Sequence, residues 1–156
     1  MEYHNFKELN NAIKSCDKCS LCDNKNNKVV IGRGVNVKIP IKILIVGEAS
    51  GYEEAKQGLP FVGNSGKMLN NWLKLFNTDN YVIVNVVKNR PIGENGKDRQ
   101  PTEEEIKACS PFLFNQIKLF KPNIILCLGN IAFKTLINTS DNIKSSGNHI
   151  VLILLS

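Results

Sequence analysis

The sequence has no long apolar run. Its longest, Ile150–Leu155, is far too short to cross a bilayer, so no membrane-spanning helix is expected. The opening residues, Met1-Glu2-Tyr3-His4-Asn5, are polar and lack the apolar centre of a signal peptide. These two absences predict a soluble, cytoplasmic protein with no membrane partner. Disulfides are not expected in that compartment, so the five cysteines read as reduced thiols or metal ligands. Internal repeats and low-complexity linkers are also missing. So is the Gly-x-Gly-x-x-Gly order, which argues against a generic dinucleotide-binding domain.

What is present is ordinary globular material. Apolar residues make up 42% of the chain and charged residues 22%, which excludes bulk disorder. The 156 residues suit one compact domain, 1–156, with a core that needs no staples. A formal net charge of +6 favours an anionic partner, nucleic acid among them, although a merely basic surface has the same composition.

Four short, β-branched apolar runs stand out: Ile41–Val46, Tyr81–Val87, Ile124–Leu128 and Ile150–Leu155. Each is bounded by polar or turn residues, as buried parallel strands are. Helical patterns separate them. Ser65 to Phe76 places Met68, Leu69, Trp72, Leu73 and Phe76 at three- and four-residue spacing. At Pro101-Thr102-Glu103-Glu104-Glu105, Thr102 is a helix cap and the acids fill the first turn; Ile106, Phe112, Leu113 and Ile117 follow. A third helix is expected over Asn130–Ile137, and an N-terminal one from Phe6 to about Ser15. The alternation predicts a three-layer α/β/α fold around a central four-stranded parallel sheet. Ligands of such sheets bind at the carboxyl ends of the strands. Attention therefore falls on Gly47-Glu48-Ala49-Ser50-Gly51, on Lys88-Asn89-Arg90-Pro91 and on Gly129-Asn130.

In the first of these segments, small residues at 47, 49, 50 and 51 allow a sharp turn that presents free amides to a ligand. Farther along, Phe61 lies between Pro60 and a glycine-rich run, placed either as a stacking platform or as core. Cys16, Cys19 and Cys22 form two overlapping Cys-x-x-Cys units, a spacing that suits zinc or cluster ligation. Cys127, inside an apolar run, reads as core.

Read together, these segments carry a resemblance. Gly47-Glu48-Ala49-Ser50-Gly51, followed by Gly58-Leu59-Pro60-Phe61-Val62-Gly63-Asn64-Ser65-Gly66, closely resembles the first motif of the family-4, iron–sulfur uracil-DNA glycosylases. Val84-Asn85-Val86-Val87-Lys88 with Arg90-Pro91 is similar to the second-strand motif. Glu105-Ile106, Cys109 and Pro111-Phe112-Leu113 match the next helix, and Lys121-Pro122 through Leu128-Gly129 and Ala132 the third strand and its turn. The resemblance runs from about Cys16 to Ile137.

It implies hydrolysis of the N-glycosidic bond of uracil in DNA, as in base excision repair. The base must leave the stack and enter a pocket. Phe61 would stack on it, and Asn85 would read its polar edge, one amide supplying both donor and acceptor. Bond cleavage puts positive charge on the sugar and negative charge on the base. Backbone amides around Glu48, Ala49, Ser50 and Gly51 would face the base oxygen. The Glu48 carboxylate would act near the sugar, with Glu54 a second candidate. Serine at position 50 replaces the family's usual proline.

The resemblance further implies a four-iron–four-sulfur cluster on four cysteines. Cys16, Cys19 and Cys109 match three of them; the third ligand in chain order falls on Asn89. A cluster that is absent, labile or three-iron stays open, as does one completed by Cys22 or an external ligand. A zinc site on Cys16, Cys19 and Cys22 with His4 or Cys109 is the alternative. Lys88, Arg90, Lys97 and Arg99 are expected to meet DNA phosphates, with Glu94 and Asp98 tempering the charge. This loop carries Ile92 where the family has a second proline, and it is longer.

The family's last motif, a His-Pro segment after the fourth strand, has no counterpart in the sequence, which is C-terminally short relative to the family. His149 precedes the fourth run and is not expected to take that histidine's role. Loss of one such donor costs about two to three decades in rate. Two function classes follow: a monomeric glycosylase of reduced activity acting on uracil-containing or single-stranded DNA, or a silent glycosylase-fold protein that binds DNA, a base or a protein.

Overall fold

The computed structural model describes residues 2–34, 37–76, 79–138 and 150–155, with Ser65 and Phe76 described by their backbone alone. Strands β1 (Ile43–Ala49), β2 (Tyr81–Val87), β3 (Ile124–Leu128) and β4 (Val151–Leu155) form a four-stranded parallel sheet in the order β2-β1-β3-β4. The first strand starts two residues later than its apolar run and extends beyond it, because Ala49 still pairs with Val87. Ile41 is fully buried ahead of the strand, and its amide donates to the Phe120 carbonyl at 3.1 Å.

The helices are α1 (Phe6–Lys14), α2 (Tyr52–Gln57), α3 (Asn64–Leu73), α4 (Glu103–Phe120) and α5 (Asn130–Ile137). Side chains alternate across a strand, so each apolar run divides between two faces. Leu44, Val46, Val82, Val84, Ile125 and Cys127 pack on one face. They meet Leu9 and Ile13 of α1, Phe112, Leu113 and Ile117 of α4, and Ala132 and Leu136 of α5. Ile43, Ile45, Ile83 and Leu126 pack on the other, against Leu69 and Leu73 of α3. The expected α/β/α layering is therefore present. Full burial of each Leu or Ile contributes on the order of 1.5–3 kcal/mol.

Local signals fix the helix ends. The Thr102 hydroxyl accepts from the Glu105 amide at 3.2 Å, and the Glu105 carboxylate accepts from the Thr102 amide at 2.8 Å. That reciprocal box starts α4 where the sequence placed it. Asn5 caps α1 by accepting from the Glu8 amide at 2.9 Å.

Three sequence expectations need correction. Of the large apolar side chains described in α3, Leu69 and Leu73 are buried while Met68 and Trp72 stand at the surface, because one narrow stripe of this helix meets the sheet. The fourth strand is an edge strand with Val151 and Ile153 exposed, rather than one covered on both faces. The short helix α2 had no apolar repeat to announce it. His149 and the side chain of Phe76 lie outside the described residues.

Candidate functional site

Gly47 of β1 pairs with Asn85 of β2, which brings the two first motifs together near the carboxyl ends of their strands. The space above Gly47 is shared by two side chains. A Cβ there would fall on Asn85 Oδ1 and within 2.6 Å of Phe61 Cζ. Glycine at 47 is thus required by the approach of the aromatic ring and the amide. Ala49, Glu54, Phe61 and Asn85 line a small cavity at this edge. Asn85 is 2% exposed, and its Oδ1 has no hydrogen-bond partner; the Ser50 hydroxyl is buried in the same condition. An unpaired buried amide oxygen carries a desolvation cost of about 1–3 kcal/mol, and a polar ligand removes it.

Phe61 is held in a left-handed backbone conformation, with φ of 53°, which is uncommon for an aromatic residue. The following residues explain how it is kept there. One Glu54 carboxylate oxygen accepts from the amides of Val62 at 3.1 Å and Gly63 at 2.9 Å; the other accepts from Gly51 at 3.0 Å. Arg33 donates to the Phe61 carbonyl at 3.4 Å and to Asn70 Oδ1 of α3 at 3.0 Å. A Cβ on Gly66 would strike that same carbonyl, so the helix can begin this close only with glycine. Glu54 therefore acts as a brace between the two glycine-rich loops. It also occupies the Gly51 amide, which is not free for a ligand as the sequence suggested.

Glu48 follows Gly47 on β1 and is half-buried, and this desolvation raises its carboxyl above the ordinary range. Of the residues assigned to the pocket from sequence, Ala49, Phe61 and Asn85 line one cavity together with Glu54.

The basic loop is organised differently from expectation. Lys88 is 1% exposed, and its ammonium donates to the Asn85 carbonyl and to Gln116 Oε1 of α4 at 2.6 Å. Burial lowers its pKa to about 8. It is an internal brace and offers no charge to a phosphate. Arg90 is also buried; it pairs with Asp98, donates to the Gly96 carbonyl at 3.2 Å and lies over the Tyr52 ring. Arg99 forms a two-pronged pair with Glu105 at 2.7 and 3.0 Å. Lys97, at the turn between the bridged residues Ile92 and Asp98, is exposed. Periodicity and charge counting missed this because Asp98 and Glu105 are eight and six residues from their partners and meet them only through the fold.

Cys16, Cys19, Cys22, Asn89 and Cys109 line a second cavity, which also touches Val87 at the end of β2. Cys16 follows α1, Cys19 caps the 3-10 turn Ser20–Asp23 that carries Cys22, and Cys109 belongs to α4. Apolar walls from Ile13, Val87 and Phe112 enclose it. Burial pushes the Cys22 thiol up to about 12 and raises Cys109, the latter opposed by the Lys88 charge. The Lys88 amide donates to Cys109 Sγ at 3.2 Å. Four soft thiols from two separate segments, in an apolar recess, are the donor set that iron–sulfur clusters use. Among the described residues no three His, Cys, Asp or Glu side chains are gathered to hold a single metal ion. His4 pairs instead with Glu8 at the exposed start of α1 and does not line the cavity. Cys127 is fully buried in β3, as read from the sequence. No helix among the described residues is long and apolar enough to cross a membrane.

Comparison with known proteins agrees with this geometry. The chain is 39% identical over 133 residues to the type-4 uracil-DNA glycosylase of Pyrobaculum aerophilum, covering 84% of this chain and 64% of that protein. It is 40% identical over 131 residues to the type-4 uracil-DNA glycosylase of Archaeoglobus fulgidus, covering 83% of this chain and 62% of that one. With the Thermotoga maritima type-4 enzyme the identity is 39% over 126 residues, covering 80% and 62%. The chain thus spans somewhat less than two thirds of the length of these relatives. A family model described as the uracil DNA glycosylase superfamily matches residues 36–155, which include the Gly47–Asn85 pocket and the Lys88–Arg99 loop. On that match, the chain belongs to the uracil-DNA glycosylase superfamily.

Proposed function

We propose that this chain removes uracil from DNA by hydrolysing the N-glycosidic bond, with Phe61 and Asn85 holding the extruded base. The observation that carries this reading is the buried, unpartnered Oδ1 of Asn85 beside the Phe61 ring. A flat heterocycle with a polar edge satisfies both groups at once: the ring offers a stacking face and the amide a donor and an acceptor. The relatives named type-4 uracil-DNA glycosylases support uracil as that heterocycle.

As the bond breaks, the base becomes an anion and the sugar an oxocarbenium-like cation. The Ser50 hydroxyl and the amides of Glu48, Ala49 and Ser50 are the groups we assign to the departing base; of these residues Ala49 lines the pocket. Glu48, ionised, stabilises the sugar cation and orients the attacking water. Glu54 acts by bracing the loop that presents Phe61. Lys97 is the exposed cation of this loop suited to a DNA phosphate; the Arg99 guanidinium is taken up by Glu105 and by the carbonyls of Ile92 and Gln100.

The cysteine cavity takes an iron–sulfur cluster held by Cys16, Cys19 and Cys109. When bound, the cluster supplies a covalent tie from the N-terminal segment to α4. The chain's own residues set its surroundings: Lys88 donates its amide to Cys109 and its ammonium to the Asn85 carbonyl, so one residue fixes both sites.

Single-turnover excision from single-stranded uracil DNA tests the pocket, since such DNA removes most of the unstacking cost. Asn85→Ala should lower the rate by about 10- to 100-fold through the unpaired base edge, while Lys97→Ala should change it little on a short strand. Equal, small effects would count against the pocket. Tight, uracil-dependent binding without excision would favour a silent binding protein instead.

A further inference from the structure

We propose that Cys22 is the fourth thiolate of the cluster site, and that the Asn89 amide serves it as a hydrogen-bond donor rather than as a ligand. The inference rests on the reading that the cysteine cavity holds an iron–sulfur cluster.

The resemblance assigns the third ligand, in chain order, to position 89, where this chain has asparagine. A carboxamide oxygen is a hard, neutral donor and a poor match for cluster iron, which takes thiolates. The local geometry supplies a substitute. The Cys22 amide donates to the Cys19 carbonyl at 3.2 Å, closing the 3-10 turn so that position 22 folds back beside position 19. This turn brings Cys22 to the wall of the cavity shared by Cys16, Cys19 and Cys109. Asn89 enters from the end of β2 and is 8% exposed. Its Nδ2 donates to Cys22 Sγ at 3.5 Å, within range for a sulfur acceptor. The side chain at 89 is thus turned with its donor toward the sulfur of position 22.

This arrangement gives each of the two residues a use. A thiolate that ligates iron carries excess charge and accepts hydrogen bonds more strongly than a free thiol does. Cys22 loses its proton to solvent on ligation, as any cluster cysteine must, and the Asn89 N–H then faces a thiolate. Cys109 already has its own donor in the Lys88 amide, so two of the four sulfurs receive hydrogen bonds from consecutive residues of one segment. The other free cysteine, Cys127, is sealed within β3 and away from this cavity.

The test uses the full chain, reconstituted without oxygen from ferric iron, sulfide and excess thiol, the thiol reducing half of the iron. Iron and acid-labile sulfide per chain, visible absorbance and electron paramagnetic resonance are the readouts. The unmodified chain should take up about four irons and four sulfides, as a cubane on four thiolates does. Cys22→Ser should lose most of that iron or retain a three-iron signal, and Cys127→Ser should match the parent. Asn89→Ala should still load fully but bleach several-fold faster in air. If Cys22→Ser folds poorly, the double variant Cys22→Ser/Asn89→Cys decides: it returns a thiol to the position the family uses and should restore folding and iron together. Full loading of Cys22→Ser overturns the assignment of Cys22 while leaving the cluster reading intact. Loss of iron in Asn89→Ala equal to that in Cys22→Ser overturns it as well, by making Asn89 a ligand. Failure of the unmodified chain to hold iron and sulfide at all, or retention of zinc alone, overturns both this inference and the cluster reading beneath it.

Discussion

The buried Lys88 ammonium donates to the main-chain carbonyl of Asn85, three residues earlier at the end of β2. Its second acceptor, Gln116 Oε1 on α4, is fixed in turn because Gln116 Nε2 donates to the Ile31 carbonyl at 3.0 Å. The strand end that presents the Asn85 side chain is therefore tied to a helix and to the N-terminal segment through one lysine. A buried cation is costly unless every donor finds a partner, and two of its three protons are accounted for here.

Replacing Lys88 by methionine keeps the stem and removes the donors. The Asn85 carbonyl and Gln116 Oε1 then lose a partner in a dry environment, which costs about 1–3 kcal/mol for each group left unsatisfied. Urea unfolding should show a clearly lower midpoint at unchanged slope. Lys97→Ala, on the exposed turn, should stay within about 0.5 kcal/mol of the parent. A Lys88→Met variant as stable as the parent would show that the lysine is dispensable to the strand end.

Glu54 accepts from Gly51, Val62 and Gly63, and the last two amides follow directly on the strained Phe61. Glu54→Ala should release all three. Hydrogen exchange at residues 62 and 63 should accelerate by roughly tenfold or more, while exchange in β3 stays unchanged. Excision should slow because Phe61 is no longer held over Gly47. The brace has no such role if exchange at 62 and 63 is unaltered.

The Arg99–Glu105 pair is a second internal tie. Hydrogen bonding to Arg99 is the main reason that Glu105 is held below the ordinary carboxylate range, with the Thr102 amide assisting. Its folded value is depressed, so its contribution is fully present above the ordinary glutamate value and is lost as pH falls through the folded value. Acid unfolding should therefore show a component that Glu105→Gln removes. A double-mutant cycle with Arg99→Ala at about pH 7 should give a coupling of about 1–3 kcal/mol, and additive single effects would dissolve the pair.

These ties also mark where sequence reading succeeds and where it stops. Strand and helix positions were legible because burial imposes periodicity: Tyr81–Val87 and Ile124–Leu128 were bounded correctly, and Thr102 announced its own capping box. The four ordered motifs likewise located Gly47, Phe61 and Asn85 before their proximity was visible. Lys88 was misread because a lysine after a strand looks like a surface cation until Gln116, 28 residues away, is brought beneath it. Arg90 and Arg99 were misread for the same reason, since a charge count cannot tell a free guanidinium from one already paired. Met68 and Trp72 carried the helical spacing of α3, yet only the Leu69–Leu73 stripe meets the sheet.

Glu48 offers the sharpest separation of catalysis from stability, because its two contributions have opposite signs. Burial raises its carboxyl above the ordinary range, so between the unfolded and folded values the folded chain holds the extra proton. Stability therefore falls as pH rises through that window, and ionised Glu48 is a net cost to the fold at neutral pH. In the proposed mechanism excision requires the ionised form, near the sugar cation. Its rate should rise with pH along a limb displaced above the ordinary glutamate value and then level off. Glu48→Gln removes the charge while keeping the shape. The variant should be at least as stable as the parent at about pH 7, yet slower in excision by about a hundredfold, with the acid limb abolished. A structural role predicts the reverse pattern, a loss of stability with the limb retained. Thermal unfolding and single-turnover excision measured on one preparation, from about pH 4.5 to 8, distinguish the two: a Glu48→Gln variant that is less stable but keeps the parent's pH profile would remove Glu48 from the reaction.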